Sequence, residues 1–188
     1  MTSKTEICNL ALLKLGKNRI QNIDTDESQQ ATTLALVYDI ALRELLGETA
    51  WDFAVFRQVL NKTTETPLYK WAYKFQLPTY PKFIRLVEVN NNQEYELEGE
   101  YILTNENELM ITYIGEISDA SKFSVDFQKT FISLLAYKIC FDLTNSNDLE
   151  DKFYKEYITN LKNAMNNIGS YKQKKYVENS YWINARTL

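Results

Sequence analysis

Glutamates are the most densely clustered reactive side chains in this sequence. Six fall in one short stretch: Glu94, Glu96, Glu98, Glu100, Glu106 and Glu108. Two carboxylates at a suitable separation act as the acid and the base or nucleophile of a glycosidase. The first four also alternate with other residues, among them Tyr95 and Leu97, which is typical of an antiparallel strand with one solvated face. We expect a solvated acidic face with Tyr95 and Leu97 pointing inward. A carboxylate-dependent cell-wall hydrolase is an alternative.

The chain lacks the residue types and motifs of most other catalytic sites. Its 188 residues include no histidine, which excludes most Ser-His-Asp and Cys-His catalysis and most zinc sites. The 5 glycines are isolated from one another, so no glycine-rich phosphate loop is present. No residues form a recognisable catalytic set. We therefore expect a protein that is not an enzyme and that needs no cofactor and no metal.

Charge, cysteines and hydropathy are those of an ordinary globular chain. The formal net charge is -4 and 45% of the residues are hydrophobic. No stretch reaches the roughly 18 apolar residues of a membrane helix, and the first residues do not resemble a secretory signal, so we expect no membrane partner. Cys8 and Cys140 each lie in an apolar helical pattern. This predicts two buried, reduced thiols in a protein made in the cytoplasm.

Helical patterns occupy both ends of the sequence. Periodic apolar residues predict two helices within residues 3–47 and two within residues 121–169. Ser3 and Glu6 have the spacing of a capping box, and Gly16 is a suitable end for the first helix. Acidic residues at 24–27 predict the start of the second helix. The third is expected to begin at Ser121, and Gly169 is expected to end the fourth.

Residues 52–117, between the two helical pairs, carry strand patterns. Short alternating segments separated by polar turns predict a small antiparallel meander of hairpins. One alternation is aromatic, at Tyr69, Trp71, Tyr73 and Phe75. It predicts one strand face packed on the helices. The same stripe of aromatic residues, flanked by lysines, is suited to stacking on single-stranded nucleic acid. A nucleic-acid-binding or other partner-binding module that uses this stripe and the basic tail is therefore a second alternative.

The order of these elements defines the expected fold, which is mainly α with a β insertion. It is a four-helix bundle core of two N-terminal and two C-terminal helices, with the β meander between them. Residues 1–169 form one domain and residues 170–188 an extended C-terminal tail. The tail is first basic and then aromatic, at Lys172, Lys174, Lys175, Tyr176, Tyr181 and Trp182. Because Tyr and Trp are enriched at protein interfaces, we expect the tail to dock on a partner.

Several segments of the chain, taken in order, carry a family resemblance. They are EICNLALLKLG at 6–16, WDFA at 51–54, WAYKFQLP at 71–78 leading into FIRLV at 83–87, and LMITYI at 109–114. In order and spacing these segments resemble the head-to-tail adaptor proteins of tailed bacteriophages, of the tail tubular protein A type found in short-tailed phages. The similarity extends to about residue 168.

The resemblance implies a structural virion protein. Such adaptors form a ring, commonly dodecameric, that joins the portal vertex to the tail and continues the DNA channel for genome retention and ejection. The implied partners are further copies of the chain, the portal protein and the next tail component, a nozzle or tubular protein. Double-stranded DNA would pass close by without specific binding. The implied location is the neck of the virion, after assembly in the cytoplasm of the bacterial host.

Two of the features described above become candidate functional surfaces on this interpretation. The six glutamates are candidates for facing the channel, where a negative wall repels DNA phosphates and lets the genome slide. The basic and aromatic residues of the tail are candidates for docking on the portal.

Overall fold

A computed structural model describes residues 2–90 and 93–171. These residues form four helices and two small antiparallel sheets, so the expectation of a mixed fold with a β insertion between helical pairs is confirmed. In chain order the elements are α1 (Lys4–Lys14), α2 (Gln29–Glu48), β1 (Val55–Val59), β2 (Tyr73–Gln76), β3 (Phe83–Val89), β4 (Tyr95–Glu98), β5 (Tyr101–Thr104), β6 (Met110–Gly115), α3 (Val125–Thr144) and α4 (Asn147–Tyr171).

Serine side chains cap the first three helices. Ser3 Oγ accepts a hydrogen bond from the Glu6 amide at 3.1 Å, as the capping box predicts. Ser28 and Ser124 cap α2 and α3 in the same way. The expected start of the second helix at 24–27 is therefore wrong, because the Asp26 carboxylate accepts hydrogen bonds from the backbone amides of Gln21 and Ser28 in the loop before α2. The expected start of the third helix at Ser121 is also wrong, because a 3-10 turn at Ala120–Lys122 precedes α3.

Helix ends follow the glycine signals at one position and not at another. Gly16 follows α1 with a φ of 66°, a left-handed conformation that favours glycine, so this end is confirmed. Gly169 does not end α4, which continues to Tyr171. A glycine inside a helix costs about 1 kcal/mol, less than the packing of a long amphipathic helix supplies. The helical domain therefore extends past the expected boundary at 169, and residues 172–188 of the expected tail lie outside the described residues.

Helix α3 is the central helix of the helical layer. It packs against α1, α2 and α4. Its buried face carries Phe127 and Phe131, whose rings lie 4.9 Å from Trp51 and 5.1 Å from Tyr38 respectively. The Trp51 indole N–H donates a 2.7 Å hydrogen bond to the Leu45 carbonyl. The one polar group of this buried side chain therefore has a hydrogen-bond partner. Aromatic packing around α3 therefore joins α2, the segment after it and α3 into one core.

The six strands form two three-stranded sheets, with strand orders β1-β6-β3 and β2-β5-β4. We call the first the inner sheet and the second the outer sheet. All pairs are antiparallel, as expected. The sequential order of a meander is wrong, because β6 returns between β1 and β3 and only β4 and β5 form a hairpin of neighbours.

The inner sheet lies between the helices and the outer sheet. On one face, Val55, Ile84 and Ile114 pack into the helical core. On the other face, Ile111 and Tyr113 belong to a second hydrophobic cluster that also contains residues of the outer sheet. Alternate residues of the inner sheet thus serve two cores, and the protein has three layers: helices, inner sheet and outer sheet.

Candidate interaction surface on the outer sheet

The solvent-facing side of the outer sheet is assembled from alternate residues of its three strands. Strand register places Lys74 opposite Leu103 and Leu103 opposite Glu96, so these three side chains share one face. The other face carries Phe75 and Ile102, which are buried in the second cluster. The pleat of the sheet therefore separates a core-facing set from a mixed charged and apolar set.

A groove of about 890 Å³ runs over this solvent-facing side. Its floor is formed by the sheet and its wall by the connection between β1 and β2. The lining residues that bear most on its chemistry are Leu68, Tyr69, Trp71, Lys74, Glu96, Glu98, Glu100 and Tyr101. The groove thus combines aromatic and aliphatic surface with several carboxylates.

A hydrogen bond between Trp71 and Glu96 fastens the connecting segment to β4. Trp71 Nε1 donates to Glu96 Oε2 at 2.8 Å, and Lys70 Nζ lies 3.4 Å from the same oxygen. The Trp71 hydrogen bond first, and then Lys70, lower the pKa of the Glu96 carboxyl. Glu96 is therefore anionic at neutral pH and holds the indole against the sheet.

Lys74 is a cation among the residues that line the groove. Its Nζ lies 2.8 Å from Glu65 Oε2 and 3.9 Å from the centroid of the Tyr101 ring. The hydrogen bond from Lys74 lowers the pKa of the Glu65 carboxyl, and the same bond raises the pKa of the Lys74 ammonium. Both groups stay charged at neutral pH, and this ion pair joins the middle of the connecting segment to β2.

Two large apolar side chains of the connecting segment project into solvent. Leu68 is fully exposed and Tyr69 is 81% exposed. Lys70, which follows them, has a φ of 70°, a left-handed conformation that is uncommon for a residue other than glycine. Leu68 is not among the residues that the sequence patterns predict as functional. Its signal is an apolar residue directly after Pro67 in an otherwise polar loop.

Strand β4 is the edge strand of the outer sheet and all four of its residues are exposed. Tyr95 and Leu97 lie opposite Thr104 and Ile102, on the core-facing side of the sheet, so their expected direction is confirmed. They are nevertheless 43% and 46% exposed and do not belong to the core. The reason is that Phe75 of β2 and Ile102 of β5 fill the space between the sheets, and β4 extends beyond that core. An edge strand with both faces in solvent is the result.

All six candidate glutamates are exposed, so the solvated acidic face is confirmed. The structure divides them into two groups. Glu96, Glu98 and Glu100 line the groove, and Glu94 precedes β4. Glu106 and Glu108 lie in the turn between β5 and β6. The six are therefore not one constellation.

The aromatic stripe from 69 to 75 does not lie on one strand face, so that expectation is wrong. Only residues 73–76 form β2. Tyr73 and Phe75 pack in the second cluster, whereas Trp71 bonds Glu96 on the opposite side of the sheet. The chain turns at Lys70, and the Ala72 amide then donates a hydrogen bond to the Asn105 side chain. This turn breaks the alternation of residue faces that a continuous strand would have.

The helical layer has an exposed apolar patch of its own on α2. Leu36 and Ile40 are 71% and 61% exposed and lie one turn apart on the same side of the helix. Neither residue was expected from the sequence, because the periodic apolar positions that predict α2 are those of its buried stripe. Two apolar residues four apart and outside that stripe are the signal that would have found them.

Other features of the described residues bear on chemistry. Cys8 and Cys140 are free and buried, as expected, and burial raises the pKa of the Cys8 thiol to about 12. That thiol is therefore protonated and unreactive at neutral pH. Within residues 2–90 and 93–171, no group of carboxylates and cysteines is arranged so that it could hold a metal ion. In the same residues, no helix is long and apolar enough to cross a membrane.

The six candidate docking residues of the tail, from Lys172 to Trp182, lie outside the described residues. No protein-family model matches this chain, and no curated protein matches it.

Proposed function

We propose that this protein is a structural component of a phage head-to-tail connector, a ring of identical chains that joins the portal vertex to the tail. The proposal assigns it no catalytic step, no cofactor and no membrane partner. Its partners are further copies of itself, the portal protein and the next tail component, and it acts in the neck of the virion after assembly in the host cytoplasm.

The observation that carries the proposal is the placement of exposed apolar residues on both outer layers of the molecule. Leu36 and Ile40 are exposed on the helical layer, and Leu68 and Tyr69 on the outer sheet. Contiguous exposed apolar residues typically mark interaction sites. An adaptor between two assemblies needs such sites on two separate faces, whereas an enzyme needs one concave site.

The contacts among the helices support a bundle as the element that carries these faces. Helix α3 packs on the other three helices. Lys14 of α1 forms an ion pair with Glu156 of α4, and Lys138 of α3 with Glu44 of α2. We propose that this four-helix arrangement, with the N-terminal pair against the C-terminal pair, faces the portal and that the outer sheet faces the tail.

The acidic turns are proposed to face the DNA channel. Like charges repel the phosphates of DNA and keep it from binding to the wall. Among the described residues, Glu96 forms an ion pair with Lys70 and the other five candidate glutamates form none. Glu98 and Glu100 line the groove, whereas Glu106 and Glu108 lie outside it. The turn at 106–108 is therefore the stronger candidate for the channel wall, and the tail residues from Lys172 to Trp182 remain candidates for docking on the portal.

Two observations weigh against the alternatives. A glycosidase acid needs a raised pKa, and the environment of Glu96 lowers its pKa. A nucleic-acid platform needs accessible rings, and Trp71 is only 8% exposed with its indole N–H bonded to Glu96.

The test is to mix the purified protein with rings of the portal protein from the same phage genome and to average particle images. We expect a second annulus stacked on the portal, with a continuous central channel. A protein that stays unbound, or that binds single-stranded DNA with an affinity falling steeply with salt, would contradict the proposal. A map of the stacked ring also tests the channel wall, because outward-facing Glu106 and Glu108 would exclude that role.

A further inference from the structure

We propose that the free edge of β4 binds the lysine-rich segment 172–177 of a second copy of the chain as an added strand. This inference rests on the proposed ring and names one contact between neighbouring copies. The contact uses backbone hydrogen bonds for affinity and alternating charge for selectivity, as strand addition does in other complexes.

The two edges of the outer sheet differ in what covers them. At the β2 edge, the Thr63 amide donates to the Lys74 carbonyl at 2.8 Å and the Gln76 amide donates to the Asn61 carbonyl at 3.1 Å. At the other edge, the described residues place no strand against β4. An uncovered edge is a template for pairing with another chain, so β4 is the acceptor that this sheet offers.

The charges of β4 restrict what it accepts. Glu96 and Glu98 share the solvent-facing side of the strand, and Glu94 continues the same alternation. A second β4 would bring like charges opposite one another, which destabilises a strand pair. A segment with alternating lysines gives opposite-charge pairs instead. The charges of the β4 edge therefore disfavour pairing with a second β4 strand and favour pairing with a basic strand.

The segment 172–177 of the same sequence has that character. Lys172 and Lys174 are two residues apart, so in an added strand they lie on one face, as Glu96 and Glu98 do. Tyr176 and Val177 follow, and both residue types favour strands. An antiparallel pairing brings Lys172 and Lys174 against the glutamates and Val177 against the half-exposed Tyr95 or Leu97 side. The remaining residues to 188, with Tyr181 and Trp182, stay available for the portal.

A second copy, rather than the same chain, is the source of the segment. Helix α4 ends in the helical layer, where Ile168 lines the same surface cavity as Ser124 and Val125 at the start of α3. Strand β4 belongs to the outer sheet, and the inner sheet lies between the two layers. A donor on one layer and an acceptor on the opposite layer form a head-to-tail contact, the kind that closes into a ring when the rotation between copies allows it.

The first measurement is binding of a labelled peptide of residues 171–180 to the full-length chain. The chain carries Lys172→Gln and Lys174→Gln, so that these two positions of its own segment carry no charge that complements either version of the edge. We expect saturable binding in fluorescence anisotropy, and at least a tenfold weaker affinity when Glu94→Lys and Glu98→Lys are added. This pair spares Glu96 and its bond to Trp71. Glu106→Lys with Glu108→Lys has the same charge change and is expected to leave binding unaltered.

Absence of peptide binding, or equal binding to the chain with the reversed edge, would overturn the proposal. A second measurement decides the source of the segment. Full-length chains that carry the reversed segment, Lys172→Glu with Lys174→Glu, are mixed in equal amounts with full-length chains that carry the reversed edge, Glu94→Lys with Glu98→Lys. Native mass spectrometry measures mixed assemblies. We expect mixed assemblies and little self-association of either variant alone. Peptide binding without mixed assemblies would contradict docking on a second copy.

These outcomes separate the inference from the proposed function. A protein that stacks on the portal although neither charge reversal has an effect retains the function and loses the inference. A protein that forms the strand contact but does not stack on the portal retains the inference and loses the function.

Discussion

The helical layer and the outer sheet bury their aromatic residues differently. Around α3, Phe123, Phe127 and Phe131 form a chain of ring contacts that reaches Trp51 and Tyr38. Among the described residues, the cluster between the sheets has 8 buried members, while aromatic and aliphatic residues such as Tyr95 and Leu97 remain exposed on the outer sheet. The apolar residues of the helical layer mostly form a core, whereas many of those on the outer sheet lie at the surface.

This difference indicates a division of roles. Free energy of unfolding scales with buried apolar area, so the helical layer is expected to supply most of the stability of the chain. Exposed apolar residues next to carboxylates give the outer sheet a surface suited to partners. Substitutions of buried residues in the helical layer should change stability. Substitutions of exposed residues, on the outer sheet or in the patch of Leu36 and Ile40 on α2, should change binding.

The largest effect is expected for Phe127→Ala. The side chain is fully buried, with ring centroids 4.9 Å from Trp51 and 5.0 Å from Phe53. Truncation leaves a cavity and should lower the free energy of unfolding by about 3–5 kcal/mol. Phe83→Ala, in the half-buried position stacked on Tyr113 in the sheets, should cost about 1–3 kcal/mol. Urea unfolding measures both, and equal losses would contradict the division of roles.

The next effect tests the packing of the inner sheet. A Cβ at Gly115 would lie 2.8 Å from Pro81 Cβ and 2.9 Å from the Phe56 ring, distances that require the neighbours to move. We expect Gly115→Ala to destabilise the protein by about 1–3 kcal/mol.

Gly169→Ala is the matched control for that substitution. Gly169 lies exposed in α4 with nothing within 4 Å of an added Cβ. Alanine should stabilise the helix by about 0.5–1 kcal/mol. Thermal unfolding of the two variants should therefore shift in opposite directions, and a stable Gly115→Ala protein would mean that the sheet tolerates an expansion at this point.

The local elements of this fold were predictable from the sequence and their long-range pairing was not. The Ser3 cap and the end at Gly16 depend on neighbouring residues, and the structure confirms them. The pairing of β6 with both β1 and β3 joins segments far apart in the chain. Alternation defines the face of each strand but not its neighbour, so a meander was the simplest order and it was wrong.

The candidate surface was predictable in part for the same reason. The alternation of glutamates in 94–98 correctly predicts solvated carboxylates. That β4 is an edge strand, with Tyr95 and Leu97 half-exposed, depends on how far the core between the sheets extends. The hydrogen bond from Trp71 to Glu96 depends on the turn at Lys70, which no alternation pattern predicts.

A smaller effect on stability, with a larger one on assembly, is expected for Leu36→Gln with Ile40→Gln. Both side chains are mostly exposed on α2, and glutamine is a good helix former. The free energy of unfolding should change by no more than about 0.5 kcal/mol, while stacking on the portal ring is lost. Val125→Gln, at an exposed apolar position of α3, is the control. Retained stacking in the double variant would mean that this patch is not a contact.

The smallest expected effect is local and depends on pH. Trp71 holds the pKa of the Glu96 carboxyl below its ordinary value of 4.5. A lowered pKa in the folded state means that the contact contributes fully above about pH 4.5 and is lost as the pH falls through the lowered pKa. The NMR resonance of the Trp71 indole N–H should therefore stay constant from about pH 7 to about pH 5 and move at lower pH. In Glu96→Gln the amide still accepts the hydrogen bond but does not titrate, so the movement should disappear, whereas Glu106→Gln should keep it. An unchanged titration in Glu96→Gln would assign the movement to another carboxyl and would contradict the interpretation that the Trp71 indole senses the charge of Glu96.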